Sequence, residues 1–432
     1  MQVSEGASPR LKIVVVGLGY VGLPLAVALA RTHGDADVVG FDIDAQRIDE
    51  LTGGHDRTME VEEHALAASA MRFTADDDDC RGADIIIVTV PTPVDANNRP
   101  DLGALLSASR RLAGWIEAAR RPTIIYESTV YPGATDDECG PAIEAASGLQ
   151  RGRDFRLGYS PERINPGDKV HTVDKIVKVV AGEDAEVLDQ LTWLYGAMTE
   201  AGVFRAASIP AAEAAKAIEN AQRDINIAFM NEVAQILSKT SVSVWDVLDA
   251  ARTKWNFLPF EPGLVGGHCI GVDPYYLSYC AQQLGHHPQV ILSGRDTNDA
   301  MGTWIADQLH QRRGGKAGSV LVMGLTFKEN VPDLRNSRVI DIVRRLGELG
   351  HDVTVVDPLA DADEAMREYG VTLEREARGR FDLVIGAVAH DAYRSLDARR
   401  TEALVAEGGT LADLKGLWRE AALSPSLDRW TL

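Results

Sequence analysis

The sequence predicts an α/β protein in which two doubly wound, parallel-sheet domains flank a central helical domain built on one long helix. Three observations predict it. Near the start, the β-branched run Leu11–Val16 enters a glycine-rich turn and then a helical pattern. From Ser319 onward, strand and helix patterns alternate again. Between the two, from about Ser208, the texture becomes Ala-rich helix. Alternation of this kind specifies parallel sheets with crossover helices. The expected domains are residues 1–205, 206–310 and 311–432. A chain of 432 residues, 45% of them hydrophobic, is long enough for two or three sizeable cores.

The first turn reads Gly17-Leu18-Gly19-Tyr20-Val21-Gly22 and leads into the helical pattern Leu23–Arg31. In such a turn the first glycine allows the tight bend and the second lets the backbone approach a pyrophosphate. The third lets helix and strand pack closely. The pyrophosphate then meets the free N–H groups at the helix start. A second strand, Asp37–Ile43, carries Asp42 twenty residues beyond Gly22, where an acid bonds a ribose 2′-hydroxyl and repels a 2′-phosphate. NAD is therefore the expected cofactor, in a Rossmann-like domain, with Gly17, Gly19, Tyr20, Val21, Gly22 and Asp42 as its contacts. Arg47 either lies over the adenosine or is a solvated helix-surface cation. Ile13–Ala30 is 18 residues without a charge, the length of a membrane span. Three glycines and Pro24 divide it instead into strand, turn and helix.

Further buried strands are expected at Ala83–Val90 and Thr123–Glu127. Ligands of doubly wound sheets bind beyond the carboxyl ends of strands, so Thr92 and Thr129 point to the nicotinamide end of the cofactor. Asp76–Asp79 is expected to be a solvated acidic loop without chemistry. Lys175–Val180 adds a strand after the loop Ser160–Gly167. In the central helix, Glu213, Lys216, Asn220, Arg223, Asp224, Asn226, Asn231 and Glu232 lie within twenty residues among apolar neighbours. Lys216 and Asn220, four apart, share a face. This density predicts a buried, hydrogen-bonded spine rather than a solvated stripe, and a helix of such length suits a dimer interface. The last third offers strands at Ser319–Gly324, Asp352–Asp357 and Asp382–Val388, with a helix over Asn336–Leu349. Its first turn, Gly324-Leu-Thr-Phe-Lys328, lacks the three-glycine pattern. Lys328 and Arg335 suit phosphates outside a dinucleotide, unless they are ordinary surface cations.

The reactive centre is sought in Gly266-Gly-His-Cys-Ile-Gly-Val-Asp-Pro274, which sets Cys269 in a glycine-loosened loop four residues before Asp273. A dehydrogenase with a nucleophilic cysteine can trap an aldehyde as a thiohemiacetal, oxidise it to a thioester and release a carboxylate. The alternative fate of Cys269 is that of a buried, inert thiol. The four cysteines, Cys80, Cys139, Cys269 and Cys280, are too sparse for a disulfide framework and lack metal-ligand spacing. No metal and a reducing cytoplasm are expected. Lys plus Arg total 44 against 64 Asp plus Glu, a formal charge of −20, which disfavours nucleic acid and anionic membranes as partners.

These motifs resemble, over almost the whole chain, the UDP-glucose/GDP-mannose dehydrogenase family. The resemblance is carried by Val16–Pro24, Glu127-Ser-Thr-Val130, Ser160-Pro-Glu-Arg163, Glu213-Ala-Ala-Lys-Ala-Ile-Glu-Asn220, Gly266-Gly-His-Cys269 with Asp273, and Phe327-Lys328 with Asp333-Leu-Arg-Asn-Ser337. It implies a four-electron, NAD-dependent oxidation of a nucleotide sugar. Cys269 would be the nucleophile and Glu162 the position of the base that activates water. Lys216 and Asn220 would hold that water and the developing oxyanion, and Asp273 would orient them, with Thr129 nearby. Arg47, Thr92, Thr129 and Arg335 join the cofactor contacts. Glu162, Arg163, Lys216, Asn220, Phe260, Gly266 and Lys328 become substrate contacts.

Within the family, Tyr131-Pro-Gly133, Arg163-Ile-Asn-Pro-Gly-Asp168 and Gly267–Pro274 look most like UDP-N-acetylhexosamine 6-dehydrogenases of bacterial surface polysaccharide synthesis. UDP-N-acetylglucosamine is the favoured substrate and UDP-N-acetylgalactosamine the next. Pro166 stands where UDP-glucose members often carry a second glutamate, and Val272 where they carry a lysine. Lys254 lies near the position of an arginine that crosses their dimer. A homodimer or higher homo-oligomer is expected. Two other readings stay open: a two-electron, β-hydroxyacid-type dehydrogenase, which needs neither Cys269 nor a third domain, and a non-catalytic NAD sensor.

Overall fold

The computed structural model describes residues 10–163, 170, 172, 174–240, 242–267 and 270–432. Within it the chain divides into two compact units. One comprises the chain up to Glu219 with Tyr275–His286; the other comprises Asn220–Pro274 and His287–Leu432.

The first unit is built on an eight-stranded sheet. Its strands are β1 (Lys12–Val16), β2 (Asp37–Phe41), β3 (Arg72–Thr74), β4 (Ile85–Val88), β5 (Thr123–Tyr126), β6 (Arg156–Tyr159), β7 (Lys178–Gly182) and β8 (Val203–Arg205). The spatial order is β3-β2-β1-β4-β5-β6-β7-β8. All neighbours run parallel except β6 and β7, which pair antiparallel through Gly158–Gly182 and Tyr159–Ala181. Every residue of β4 and β5 is buried. Strands covered on both faces are largely apolar, which is why the sequence shows them as the near-continuous runs Ile-Ile-Ile-Val and Thr-Ile-Ile-Tyr. Chain order reverses between β1 and β4, and such switch points open a crevice beyond the strand ends.

Three local expectations are corrected here. β2 stops at Phe41, so Asp42 is the first residue past the strand. The strand expected from Lys175 begins only at Lys178. Asp76–Asp79 is solvated as expected, with Asp76 and Asp78 exposed, but it is no loop: Asp76 caps a 3-10 turn over Asp77–Cys80, Asp77 pairs with Arg111 at 2.7 Å, and Asp79 accepts from Thr74 at 2.7 Å. Each acid found a donor, so the run folded. The uncharged stretch Ile13–Ala30 resolves into β1, the glycine turn and the helix Gly22–Thr32. Among the described residues, no helix is long and apolar enough to cross a membrane.

The second unit carries a six-stranded sheet of β9 (Ser319–Met323), β10 (Asp352–Val356), β11 (Leu373–Glu374), β12 (Phe381–Gly386), β13 (Val405–Asp413) and β14 (Asp428–Thr431). Its order is β11-β10-β9-β12-β13-β14, parallel throughout. That is the same winding as the first six strands of the other sheet. The expected helix Asn336–Leu349 starts at Val339 instead, because Asn336 adopts φ +52°, which no right-handed helix accommodates.

The long helix spans Ile209–Leu237, and the unit boundary falls within it. Glu213, Lys216, Asn220, Asp224 and Asn231 are all buried on it, whereas Arg223 and Glu232 are exposed. In the second unit the helix Gln289–Arg312 packs on it: Gly294 approaches Ile225 and Ala228 closely enough that a Cβ would touch both.

Candidate active site

The glycine turn is shaped by its own backbone. Gly17 has φ +92°, in the left-handed region that glycine tolerates. A Cβ on Gly22 would collide with the Gly17 carbonyl and the Thr89 hydroxyl, so helix and turn meet without room for a side chain. A Cβ on Gly19 would meet nothing within 4 Å. The turn is therefore open on the side where the second glycine admits a pyrophosphate. The helix Gly22–Thr32 has no side-chain cap and no acid in its first turn, which leaves its positive end available to an anion.

Side chains beyond the motif hold this turn. The Leu18 N–H donates to Asp42 at 2.8 Å, and the Leu18 carbonyl accepts from Arg47 Nε at 2.9 Å. Arg47 is 2% exposed and pairs with Asp56 at 2.7 Å, so it is not the solvated cation. Burial raises the Asp56 carboxyl, but Thr58, Arg47 and the Val61 amide more than offset it and hold it below its ordinary value. The Thr89 hydroxyl donates to the carbonyls of Val16 and Gly17, at 3.0 and 2.7 Å. Asp42 spends its other oxygen on the Asp44 N–H at 2.9 Å. A carboxylate has about four lone-pair sites, so two remain for ribose hydroxyls. Sequence reasoning missed Thr89 and Asp56, since neither belongs to a recognisable spacing.

Thr92 and Thr129 are half-buried beyond the ends of β4 and β5. The loops carrying them are pinned. Ser128 Oγ donates to the Val90 carbonyl at 2.6 Å. Buried Glu127 accepts from Lys178 Nζ at 2.7 Å and from the Tyr195 hydroxyl. Glu213, fully buried on the long helix, accepts from the N–H groups of Gly133 and Thr135 at 2.6 and 2.9 Å. Burial raises the Glu213 carboxyl despite these bonds. Tyr276, in the helix Asp273–Gln283, donates to the Pro93 carbonyl at 3.2 Å. Glu162 is buried, and its neighbour Arg163 grips Glu219 on the long helix at 2.8 Å, three residues after Lys216. The loop of the expected base and the helix of the expected lysine are thereby tied together.

Lys216 and Asn220 are both buried, one turn apart, and Asn220 Nδ2 donates to Asp273 at 2.5 Å. Asp273 is 1% exposed and opens its helix. His268 and Cys269 lie outside the described residues, as do residues 164–169 of the loop after Arg163. The other three cysteines are poor nucleophiles. Burial pushes the thiols of Cys80 and Cys139 up to about 12 and raises that of Cys280. Among the described residues no cluster of His, Cys, Asp or Glu could hold a metal ion.

In the second unit, Phe260 packs against the core beneath β9 and β12. A Cβ on Gly266 would collide with the Asn336 carbonyl. Lys328 is half-buried, while Arg335 is exposed and pairs with Asp333 at 2.8 Å. The turn after β9 is closed by Asp357. That carboxylate accepts from the amides of Leu325 and Thr326 at 2.6 and 3.0 Å and from those of Leu359 and Ala360 at 2.8 and 2.9 Å. It also accepts from His390 Nε2 at 3.2 Å. The Asn330 N–H donates to His390 Nδ1, which assigns the proton to Nε2.

Comparison with known proteins gives this geometry its context. Residues 11–199 match the NAD binding domain of the UDP-glucose/GDP-mannose dehydrogenase family, 210–300 its central domain and 321–420 its UDP binding domain. The chain belongs to the UDP-glucose/GDP-mannose dehydrogenase family. It is an NAD-dependent enzyme, and the open Gly19 and uncapped helix start fit that cofactor. A UDP-N-acetyl-D-glucosamine 6-dehydrogenase from Pseudomonas aeruginosa is 49% identical over 95% of this chain and 98% of its own. One from Salmonella typhi is 44% identical over 94% and 96%. The structure of a UDP-D-ManNAc dehydrogenase from Pyrococcus horikoshii superposes with a TM-score of 0.85 at 26% identity, covering 98% of this chain and 99% of the other. For a member of this family, the β9 turn with Lys328 falls in the UDP binding domain, and the buried Lys216–Asn220 stretch falls in the central one.

Proposed function

We propose that this enzyme oxidises the C6 alcohol of a UDP-N-acetylhexosamine to the uronic acid, with UDP-N-acetylglucosamine preferred and UDP-N-acetylgalactosamine next. The observation that carries the reading is the buried Asn220–Asp273 bond, formed between the long helix and the residue four places after Cys269. The substrate class is supported by the names of relatives 49% and 44% identical over nearly their whole length.

Bound NAD serves as hydride acceptor in each of the two oxidations, one molecule per step. The alcohol loses a proton and a hydride to become the aldehyde. The Cys269 thiolate adds to the aldehyde carbon, and the oxyanion formed takes up a proton as a thiohemiacetal. Loss of a second hydride, with the hydroxyl proton, leaves a thioester. Water attacks it with Glu162 as base, the C–S bond breaks, and carboxylate and thiol are released. Lys216 and the amide of Asn220 stabilise the oxyanions, and Asp273 holds that amide in orientation. Gly17, Gly19, Tyr20, Val21, Gly22, Asp42, Thr92 and Thr129 line the cofactor's path, while Arg47 contributes by holding the Leu18 carbonyl. Arg163, Phe260, Gly266 and Lys328 serve as contacts to the sugar nucleotide, and Arg335 as a contact to the cofactor.

The test is NADH production with UDP-GlcNAc, UDP-GalNAc, UDP-ManNAc and UDP-glucose. Two NADH per UDP-GlcNAc are expected; one would favour the β-hydroxyacid-type dehydrogenase instead. Cys269→Ser should abolish uronic acid formation without loss of folding, and a fully active variant would sink the thioester route. Exposed Ile218, Phe229 and Ile236 on the long helix support a homo-oligomer, which light scattering in solution would test. A cytoplasmic enzyme feeding bacterial surface polysaccharide synthesis completes the reading.

A further inference from the structure

Two asparagines that take no part in the chemistry above hold the backbone that runs into Cys269. Asn231, fully buried on the long helix, faces the peptide groups of Gly263. Its Nδ2 donates to the Gly263 carbonyl at 3.0 Å, and its Oδ1 accepts from the Gly263 N–H at 2.8 Å. An asparagine amide used this way imitates a neighbouring strand, satisfying both backbone groups of one residue at once.

The orientation of that amide is enforced from behind. Asn231 Nδ2 also donates to Asn298 Oδ1 at 2.8 Å. Asn298 Nδ2 donates in turn to the Asp224 carboxylate at 2.7 Å and to the Asp224 carbonyl at 3.0 Å. Asp224 is paired with buried Arg295 at 2.6 Å. Since a carboxylate only accepts, neither amide can flip without setting two acceptors face to face.

Asn336 grips the other end of the segment. Its Nδ2 donates to the Gly267 carbonyl at 3.0 Å, and its own carbonyl accepts from the Gly267 N–H at 3.3 Å. The glycines around Cys269 close on the same residue. A Cβ on Gly266 would collide with the Asn336 carbonyl, and one on Gly271 would lie 3.0 Å from Asn336 Nδ2. A Cβ on Gly267 would press on the Phe327 ring at 2.8 Å. The glycines flanking His268 and Cys269 are therefore small because Asn336 and Phe327 occupy the space beside them.

We propose that Asn231 and Asn336 are positioning residues for the reaction of Cys269, acting by clamping Gly263 and Gly267 in the backbone that precedes it in sequence. The proposal rests on the reading of Cys269 as the nucleophile. It makes the UDP binding domain more than a nucleotide holder, since Asn336 and Phe327 belong to it.

Asn336→Gly tests it, because glycine keeps the positive φ and the backbone carbonyl and removes only the side-chain donor. Asn231→Asp keeps the shape and sets a carboxylate against two acceptors. If it fails to fold, Asn336→Gly decides alone. The first oxidation does not need the thiol, so a misplaced thiol should let aldehyde escape. NADH per sugar consumed should fall from two toward one in Asn336→Gly, with aldehyde trapped by hydroxylamine. That ratio does not depend on how much of the enzyme is folded. The value of kcat should drop by about tenfold or more with KM for the sugar nucleotide changed less than about threefold, as expected of a misplaced reacting group. A ratio of two with wild-type kcat would overturn the clamp. Should the wild type itself give one NADH per sugar, the four-electron reading falls instead. The clamp is then judged by the rate at which iodoacetamide alkylates Cys269, followed by mass spectrometry at that residue. A changed rate in Asn336→Gly supports it and an unchanged rate overturns it.

Discussion

Arg47 is only 2% exposed, five residues after Asp42. In the sequence it is only a cation on a helix, free to contact adenosine or water. What decided between these fates was Asp56, nine positions on, which has no periodic relation to it and so could not be anticipated. Together the two hold the Leu18 carbonyl in place. Removing one partner of a buried ion pair leaves the other uncompensated, so Asp56→Ala should cost about 3–5 kcal/mol. Denaturant unfolding would check this, and a loss below about 1 kcal/mol would show that water reaches Arg47 after all. The exposed Arg57–Asp44 pair nearby, at 44% side-chain exposure on each partner, is screened by water and should contribute little. The residues proposed for the chemistry, Lys216, Asn220 and Asp273, stood in motifs that named them, and all three are buried. Tyr276 was not legible, because it acts on a backbone group far away in sequence, and Glu213 and Asn231 were foreseen as buried without the distant backbone partners they bond.

At the scale of the element, the glycine turn separates two roles that the three-glycine pattern merges. Gly22 serves packing, whereas Gly19 borders open space, as its proposed contact with the cofactor requires. Gly22→Ala should lower stability by about 1–3 kcal/mol, since a methyl must displace backbone in a closed site, and NAD affinity should fall with it. Gly19→Ala should leave stability within about 1 kcal/mol of the parent, because its surroundings are open, yet still weaken NAD binding by calorimetry. Equal stability losses in both variants would contradict this division. Strands were legible when wholly buried, as with β4 and β5. They were illegible when short or interrupted: β3 has three residues, β11 has two, and β13 contains Glu407, Gly408 and Gly409. The acidic run folded because its partners Arg72, Arg111 and Thr74 come from other elements, which no local window contains.

For the molecule as a whole, stability should depend on pH through a histidine pair in the second unit. The Gly318 N–H donates to His351 Nδ1 at 3.2 Å, so His351 Nε2 carries the proton and donates to His310 Nδ1 at 2.9 Å. A second proton on His351 would face the Gly318 N–H. Burial, and then the charge of His310, hold the His351 imidazole below its ordinary 6.5. The unfolded chain therefore binds protons more readily than the folded one. Stability is full above about pH 6.5 and is lost as pH falls from there through the folded value. Thermal unfolding between pH 8 and 5 should show the decline, and His351→Gln should flatten that part of the curve. An identical decline in the variant would assign it elsewhere. Two doubly wound domains were foreseen, but the last two strands of the second sheet were not, because β13 and β14 carry no pattern that marks them.

The winding that the two sheets share raises the question of why only one of two like scaffolds takes a dinucleotide. Asp42 and Asp357 occupy equivalent stations, each just past the second strand of its sheet and each hydrogen-bonded to the turn after the first. Asp42 has spent two acceptor sites. Asp357 has accepted from four amides and His390, with no side-chain surface left. Burial would raise its carboxyl, but His390 and the amides draw it down to about 2, so it stays ionised and fully subscribed. A ribose diol arriving there finds no acceptor. Of the two turns only the first keeps acceptor sites for a ribose, so the proposed oxidation, which consumes two NAD, would have to empty and refill that one socket within each turnover while the sugar stays behind.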